Sequence, residues 1–363
     1  MRRIITDQLD ITIDLSFSAT LIEWQQQHGR NQLPWQQTRD AYRIWLSEIM
    51  LQQTQVATVI QYYQKFLQRF PTIFSLAESP VEDVMAHWSG LGYYTRARNL
   101  HRCAQRVVAD YLGQFPADVE LLSDLPGIGP STAAAISAFA YGTRAAILDG
   151  NVKRVFCRIF GVEGFPSSSS VEKQLWELAL ALLPEQSIEA YTQGLMDLGA
   201  TLCTRSRPRC HECPFASRCM ARITQRVNEL PMRKPKKAIP EKFTVMLVIE
   251  HDQNILLEQR PPTGIWGGLL SLPEVSRLLT PSERPISKED LHAELAEFGE
   301  VEAISVMPEF THAFSHYKLK VVPLRVKMRR VCMIAAQANY QWLPAAKLKE
   351  AALPAPIKKL LVD

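Results

Sequence analysis

Three sets of residues have the types and spacing to do chemistry: a glutamate in an apolar helix, an aspartate opening another helix, and four closely spaced cysteines. Glu48 lies in Ile-Trp-Leu-Ser-Glu-Ile-Met-Leu. On a helix its neighbours three and four positions away are Ile44, Trp45, Leu51 and Gln52, none of them a cation. Burial without a partner charge raises a carboxyl pKa, by roughly 3 to 5 units at full burial. Such a group keeps a proton near neutral pH, as a general acid must. The alternative is a glutamate paired with a distant Arg or Lys. Asp149, in Leu-Asp-Gly-Asn-Val, stands where a helix N-cap belongs, and that role alone would explain it. Cys203, Cys210, Cys213 and Cys219 follow the pattern Cys-x6-Cys-x2-Cys-x5-Cys. Four thiolates so close can hold a tetrahedral zinc or a four-iron cluster. Zinc sites more often come as two separated Cys-x2-Cys pairs, and here one pair is that tight.

The stretch from Leu125 to Arg154 must position Asp149. Pro126, Gly127, Gly129 and Pro130 stop one helix and open another within a few residues. The hairpin leaves backbone N–H groups without intrahelical partners, and at Gly127 and Gly129 no side chain keeps a phosphate away. Glu48 belongs to an apolar pattern over residues 42–70, expected to form one or two helices. Further helices are expected at 17–28, 81–87, 95–112, 152–160, 171–183 and 191–202, so the chain up to the cysteines reads as all helical. Arg30 and Trp35 follow the first helix, and Gln52 and Gln53 follow Glu48's turn. Between two of the helices, Trp88-Ser-Gly-Leu-Gly-Tyr-Tyr forms a glycine-bounded loop ending in Tyr93 and Tyr94. Such aromatics either wedge between bases or pin the loop by burial.

At 363 residues the chain has room for two domains with sizeable cores. No apolar run approaches membrane length, and Asp7, Asp10 and Asp14 stand where a signal peptide would be apolar. A cytoplasmic protein is expected. Its net charge of +4 is too small for a global argument about nucleic acid. The charge is concentrated: Cys203 to Lys237 holds ten Lys or Arg and two acidic residues. Arg205, Arg207 and Arg209, between the first two cysteines, are placed for phosphate contact. Seven cysteines without an export signal point to a metal or cluster rather than a disulfide framework.

After a linker at 228–241 containing Pro231, Pro235 and Pro240, the composition becomes β-prone. Residues 243–249 and 255–258 read as strands joined at His-Asp-Gln-Asn, and 317–327 as another, with Pro323 marking an edge or a bulge. An α+β domain is expected. Its segment from Leu257 to Glu274 resembles the lead-in of a Nudix fold, with Gly268 and Glu274 at the first two fixed positions of the Nudix box. The match fails at Ser282-Glu-Arg-Pro-Ile-Ser, where the box needs clustered carboxylates for magnesium. Pyrophosphate hydrolysis is therefore not expected.

Hairpin and Asp149 together resemble the helix-hairpin-helix DNA glycosylases, and the cysteine spacing is similar to that of the iron-sulfur enzyme endonuclease III. With the metal-less Nudix-like domain, nearly the whole chain resembles the MutY-type adenine DNA glycosylases. The resemblance implies an all-α glycosylase domain at 18–227 after an extension at 1–17, a 4Fe-4S cluster at 203–219, and an α+β Nudix-like domain at 242–363. It implies removal of adenine mispaired with 8-oxoguanine or guanine in double-stranded DNA, leaving an abasic site. Glu48 would protonate adenine N7 and Asp149 would stabilise the oxocarbenium-like sugar. Gln53 and Tyr93 match residues that fill or wedge the gap, while Arg30, Trp35 and Gln193 lie where adenine-pocket residues would be. Ser131 and Asn151 fall in the same substrate-binding set; Lys153 joins Gly127, Gly129 and the three arginines on the DNA backbone. Phe314, Ser315 and His316 match the loop that reads 8-oxoguanine. One rival is a bifunctional endonuclease III-like lyase, whose lysine is replaced here by Ser131. Another is a catalytically silent iron-sulfur protein that binds DNA. One duplex and one active site require only a monomer.

Overall fold

The helical spacing that begins near residue 16 is realised as a run of helices around an aromatic and aliphatic core. The computed structural model describes residues 2–6, 9–13, 16–234, 239–261, 264–275, 291, 293, 295–314, 317–332 and 339–362. By its contacts the chain divides into Met1–Glu78 with Asn99–Pro235, and Ser79–Arg98 with Lys236–Asp363.

The first unit opens with an antiparallel hairpin of β1 (Arg2–Thr6) and β2 (Leu9–Ile13). This corrects the expectation that the chain before the cysteines is all helical; both strands are rich in Ile and Thr, which favour extended backbone. Helices α1 (Ser16–His28), α2 (Ala41–Leu51), α3 (Val56–Arg69) and α4 (Ile73–Ala77) follow. The apolar pattern over 42–70 thus forms two helices, broken where Gln53 adopts a left-handed φ of 57°. Helix α5 (Val81–Trp88) groups with the second unit, and α6 (Thr95–Tyr111) returns the chain to the first. Then come α7 (Val119–Ser123), α8 (Pro130–Tyr141), α9 (Gly150–Phe160), α10 (Ser169–Ala181) and α11 (Ile188–Asp197). A π-helical turn at Leu198–Leu202 leads into Cys203, and α12 (Met220–Ile223) follows the last cysteine.

The core is built on Phe17, which stacks on Phe215 at 4.6 Å and meets Phe156 and Tyr191 edge-on. Ala134, Ala135 and Ala138 keep α8 slim, so this helix is buried in the same core. Its entry is the expected hairpin: Leu125 and Ile128 are buried, whereas Gly127 and Gly129 are exposed. Gly127 has a left-handed φ of 81°, and a methyl group there would sit 2.8 Å from Asn99 Cβ. At Gly129 a methyl would meet nothing within 4 Å.

The second unit centres on a mixed sheet of β3 (Glu241–His251), β4 (Asn254–Gln259), β5 (Leu270–Ser271), β6 (Gly299–Val306), β7 (Phe310–Ala313), β8 (Lys318–Val331) and β9 (Tyr340–Pro344). The order is β5-β4-β3-β8-β6, with β7 also on β8 and β9 on β4. Strands β3 and β4 turn through Asp252 and Gln253, both at positive φ, at the expected site. Strands β3 and β8 run parallel, burying Val245, Leu247, Ile249, Leu324 and Val326. Pro323 is therefore neither on an edge strand nor in a bulge. It pairs Met246 of β3 on one side, and on the other it falls in the interval between the residues of β8 that pair β7 and those that pair β6, where its missing N–H breaks no pairing. A final helix, α13 (Ala355–Val362), closes the unit. Ser282 to Ser287, where the Nudix box fails, lie outside the described residues. Among the described residues no helix is long and apolar enough to cross a membrane.

The two hairpin glycines should separate in a folding measurement. Gly127→Ala forces a side chain into a left-handed, crowded position and should cost about 1 to 3 kcal/mol in chemical denaturation; Gly129→Ala should leave stability within about 0.5 kcal/mol of wild type.

Candidate active site

Helix α2 opens at Asp40, whose carboxylate accepts from Tyr42 N at 2.9 Å, and runs far enough to carry Glu48 into the wall of a cavity of about 510 Å³. Trp35, Gln193, Gln25, Asn31, Ser47 and Phe139 also line it. Amides and hydroxyls beside two aromatic rings suit a flat heterocycle with polar edges. Among the described residues Glu48 makes no hydrogen bond or ion pair. Burial, reinforced by the nearby charge of Asp149, pushes its carboxyl up to about 8. Of the two readings open in the sequence, the proton-holding glutamate is the one realised.

Asp149 is held differently. Its Oδ1 caps α9 by accepting from Val152 N at 2.8 Å, and Asn151 Nδ2 approaches Oδ2 at 3.4 Å. Burial raises its pKa, while these N–H donors and the Arg154 guanidinium oppose that rise. Asn151 is held in turn by Arg154, whose Nη2 donates to Asn151 Oδ1 at 2.9 Å and to Gly199 O at 2.8 Å. Arg154 Nε donates to Cys203 O at 2.8 Å. A continuous set of hydrogen bonds thus runs from Asp149 to the backbone of the first cysteine. From the other side Ser131, in the first turn of α8, accepts from Leu148 N at 3.0 Å. Ser131 and Asn151, expected to touch substrate, both brace Asp149 or its chain, and neither lines the cavity.

Arg30 also lies off the cavity lining. Its backbone N–H and Nε donate to the two oxygens of Asp197, at 2.8 and 2.7 Å. Asp197 is fully buried and also accepts from Gln193 Nε2 at 2.8 Å. A carboxylate can only accept, so Gln193 must turn its NH2 toward Asp197 and its Oε1 away from it. Sequence reasoning missed Asp197; its signal was a lone acid between Met196 and Leu198, four residues after Gln193. Trp35 is buried with its ring edge-on to Tyr63 at 5.4 Å.

The other expected contacts fall into two groups. Gln53 and Tyr93 are exposed non-glycine residues at positive φ, 57° and 49°. Tyr93 lies in the second unit, with the buried Arg96 guanidinium 5.5 Å from its ring, while Tyr94 OH accepts from Gly90 N and pins the loop. Arg205 and Arg207 are exposed, without ion pairs among the described residues. Lys153, expected on the DNA backbone, is instead engaged: its Nζ lies 2.6 Å from Glu172, because α10 packs on α9 and brings that carboxylate over it. Arg209 is likewise paired, with Glu212 at 2.8 Å. In the second unit Phe314 packs against His312, Tyr317 and Trp266 at 4.6, 5.0 and 5.7 Å. Ser315 and His316 lie outside the described residues.

Cys203, Cys210, Cys213 and Cys219 all line one small cavity, with no histidine or carboxylate among its lining residues. Among the described residues no three His, Cys, Asp or Glu side chains are placed to hold a single metal ion. A purely thiolate donor set around a shared space fits an iron-sulfur cluster.

Two carboxyl groups in unequal surroundings, one on α2 and the other at the N-cap of α9 just after the helix-hairpin-helix, have the chemistry to break a glycosidic bond. Residues 46–180 match the family described as HhH-GPD superfamily base excision DNA repair protein, and residues 244–363 match the NUDIX domain. Fold and site define a base excision DNA glycosylase with a Nudix-like second domain. An adenine DNA glycosylase of Buchnera aphidicola subsp. Acyrthosiphon pisum is 34% identical over 350 residues, covering 95% of this chain and 96% of that protein. The human adenine DNA glycosylase is 33% identical over 411 residues, covering 97% of this chain and 74% of its own length. Among solved structures, a thermostable thymine-DNA glycosylase aligns with a TM-score of 0.52 at 32% identity, over 57% of this chain and 95% of that one. An endonuclease III–DNA complex shares the fold, with a TM-score of 0.50 at 21% identity over 59% of this chain and 99% of that one. The chain belongs to the adenine DNA glycosylases, monofunctional enzymes of base excision repair that bind DNA and remove adenine from it.

The raised carboxyl of Glu48 has a measurable consequence for stability. Between its ordinary value of 4.5 and about 8 the folded chain holds a proton that the unfolded chain releases. Stability should therefore fall as pH rises through that window, by at most about 1.4 kcal/mol per pH unit, and level off above it. Denaturation of wild type and Glu48→Gln from pH 5 to 9 should show the slope in wild type and its loss in the variant.

Proposed function

We propose that the adenine removed is one mispaired with 8-oxoguanine or guanine, and that Glu48 and Asp149 carry the chemistry. Glu48 supplies the proton it holds to adenine N7. The bond from N9 to the sugar C1′ then breaks with its electron pair on the base, which leaves neutral. The developing positive charge on the sugar is met by the Asp149 carboxylate, whose negative form Val152 N–H, Asn151 and Arg154 favour against the effect of burial. Water adds at C1′, and Glu48, now ionised, accepts the proton that water releases. The observation that carries this reading is the unpaired, proton-holding carboxyl of Glu48 in the wall of a cavity shared with Trp35 and Gln193.

Adenine must leave the stack to reach that cavity, which costs a few kcal/mol and less at a mispair. Gln53 and Tyr93, both exposed, are assigned to the gap; Gly127, Gly129, Arg205 and Arg207 to the phosphates. Phe314, Ser315 and His316 are assigned to the 8-oxoguanine. The four cysteines are assigned to a 4Fe-4S cluster, which when bound cross-links residues 203–219 and fixes the arginine loop. No lyase step is assigned: Ser131 stands where a lyase lysine would act, and Lys153 is held by Glu172.

Single-turnover excision on a duplex with one adenine opposite 8-oxoguanine tests the assignment. Glu48→Gln and Asp149→Asn should each slow excision by about 100-fold or more. Wild-type rates should fall as pH rises past about 8, where Glu48 loses its proton. Strand breaks should appear only after hot alkali; breaks without alkali, or full activity in either variant, would refute the mechanism.

A further inference from the structure

Helix α9 carries a buried cation whose partner is not a carboxylate. Arg158 is 3% exposed. Its Nε donates to Leu230 O at 2.8 Å, Nη1 to Thr204 O at 2.7 Å and Nη2 to Arg205 O at 3.2 Å. No Asp or Glu pairs with it among the described residues, and Arg154 is near enough to repel it. A guanidinium held among neutral carbonyls, beside a like charge, is costly to bury unless an anion faces it. The anion-forming group within reach is a sulfur: Nη1 lies 3.5 Å from Cys203 Sγ. Arg209 and Arg222 line the same cavity but are exposed, so water screens their charge; the charge of Arg158 is not screened.

We infer that Arg158 is the counter-charge of the iron-sulfur site: its N–H bonds the Cys203 sulfur, raises the reduction potential of the cluster and slows the loss of iron. This rests on the reading of the four cysteines as a 4Fe-4S site. A cation and an N–H at a ligand sulfur withdraw electron density and favour the more reduced, more negative state. The carbonyls of Leu230, Thr204 and Arg205 fix the guanidinium plane, so the direction of the N–H toward sulfur is built in. Arg158 is thus a positioning and tuning residue for the cofactor, about two and a half helical turns beyond Asp149, the N-cap of α9.

The test compares the full chain with Arg158→Met and Arg158→Lys. Iron and sulfide content, the midpoint potential by voltammetry, and the rate of iron transfer to a ferrous chelator are measured for each. The expected result is a lower midpoint potential in both variants, larger in Met than in Lys because Lys keeps the charge. Iron should leave Arg158→Met about 10-fold faster or more. Faster iron loss at an unchanged potential would mean a packing role only and would overturn the inference. Should Arg158→Met fail to fold, the potential of Arg158→Lys decides by the same criterion. Wild type isolated with zinc or without iron would overturn the cluster reading as well; intact iron with wild-type potentials in the variants would overturn this inference alone.

Discussion

Glu48 and Asp149 are half-buried carboxyls near enough that the charge of one raises the pKa of the other, and one proton relieves that repulsion. With no cation at hand, the Glu48 carboxyl is pushed up to about 8; burial raises Asp149 as well, but N–H donors and Arg154 oppose that rise. In the proposed reaction, removal of a base needs an acid for the leaving group and an anion for the sugar, and the unequal surroundings of the two carboxyls would suit them to those parts. Much of the helical unit can be read as the scaffolding that keeps the two carboxyls in these unequal surroundings.

That scaffolding holds Asp149 from two directions. Cap geometry and Asn151 tie it forward to Arg154 and so to the backbone at Cys203, while the Ser131 hydroxyl ties the preceding residue back to α8. The cysteine loop is therefore connected to Asp149 by hydrogen bonds as well as by sequence. Two arginines one turn apart on α9 face that loop, Arg154 on the Cys203 carbonyl and Arg158 on its sulfur. On the other wall, Asp197 plays the matching part for the cavity by fixing Arg30 and the amide of Gln193.

What could be read in the sequence was what short-range physics decides. The apolar neighbours of Glu48, the cap at Asp149, the hairpin at Gly127 and the turn at Asp252 and Gln253 all depend on residues within a few positions of each other. The adenine-removing activity was legible because two carboxyls and four cysteines sit in a familiar order. Pairings across long loops were not legible: Lys153 with Glu172, Arg30 with Asp197, Ser131 with Leu148 each join residues that only packing brings together. Pro323 was misread for the same reason, since its neighbours on both sides come from strands far away in sequence. The N-terminal hairpin was missed because five-residue strands carry little periodicity.

Half-buried beside Asp149 and without a cation partner, Glu48 should be protonated at neutral pH. Its carboxyl can be watched directly by carbon-13 NMR with carboxyl-labelled glutamate, the Glu48 signal assigned by its absence in Glu48→Gln. A protonated carboxyl at pH 7, titrating near 8 in wild type and at lower pH in Asp149→Asn, is the predicted result. A signal that titrates near the ordinary 4.5 and ignores Asp149 would contradict it.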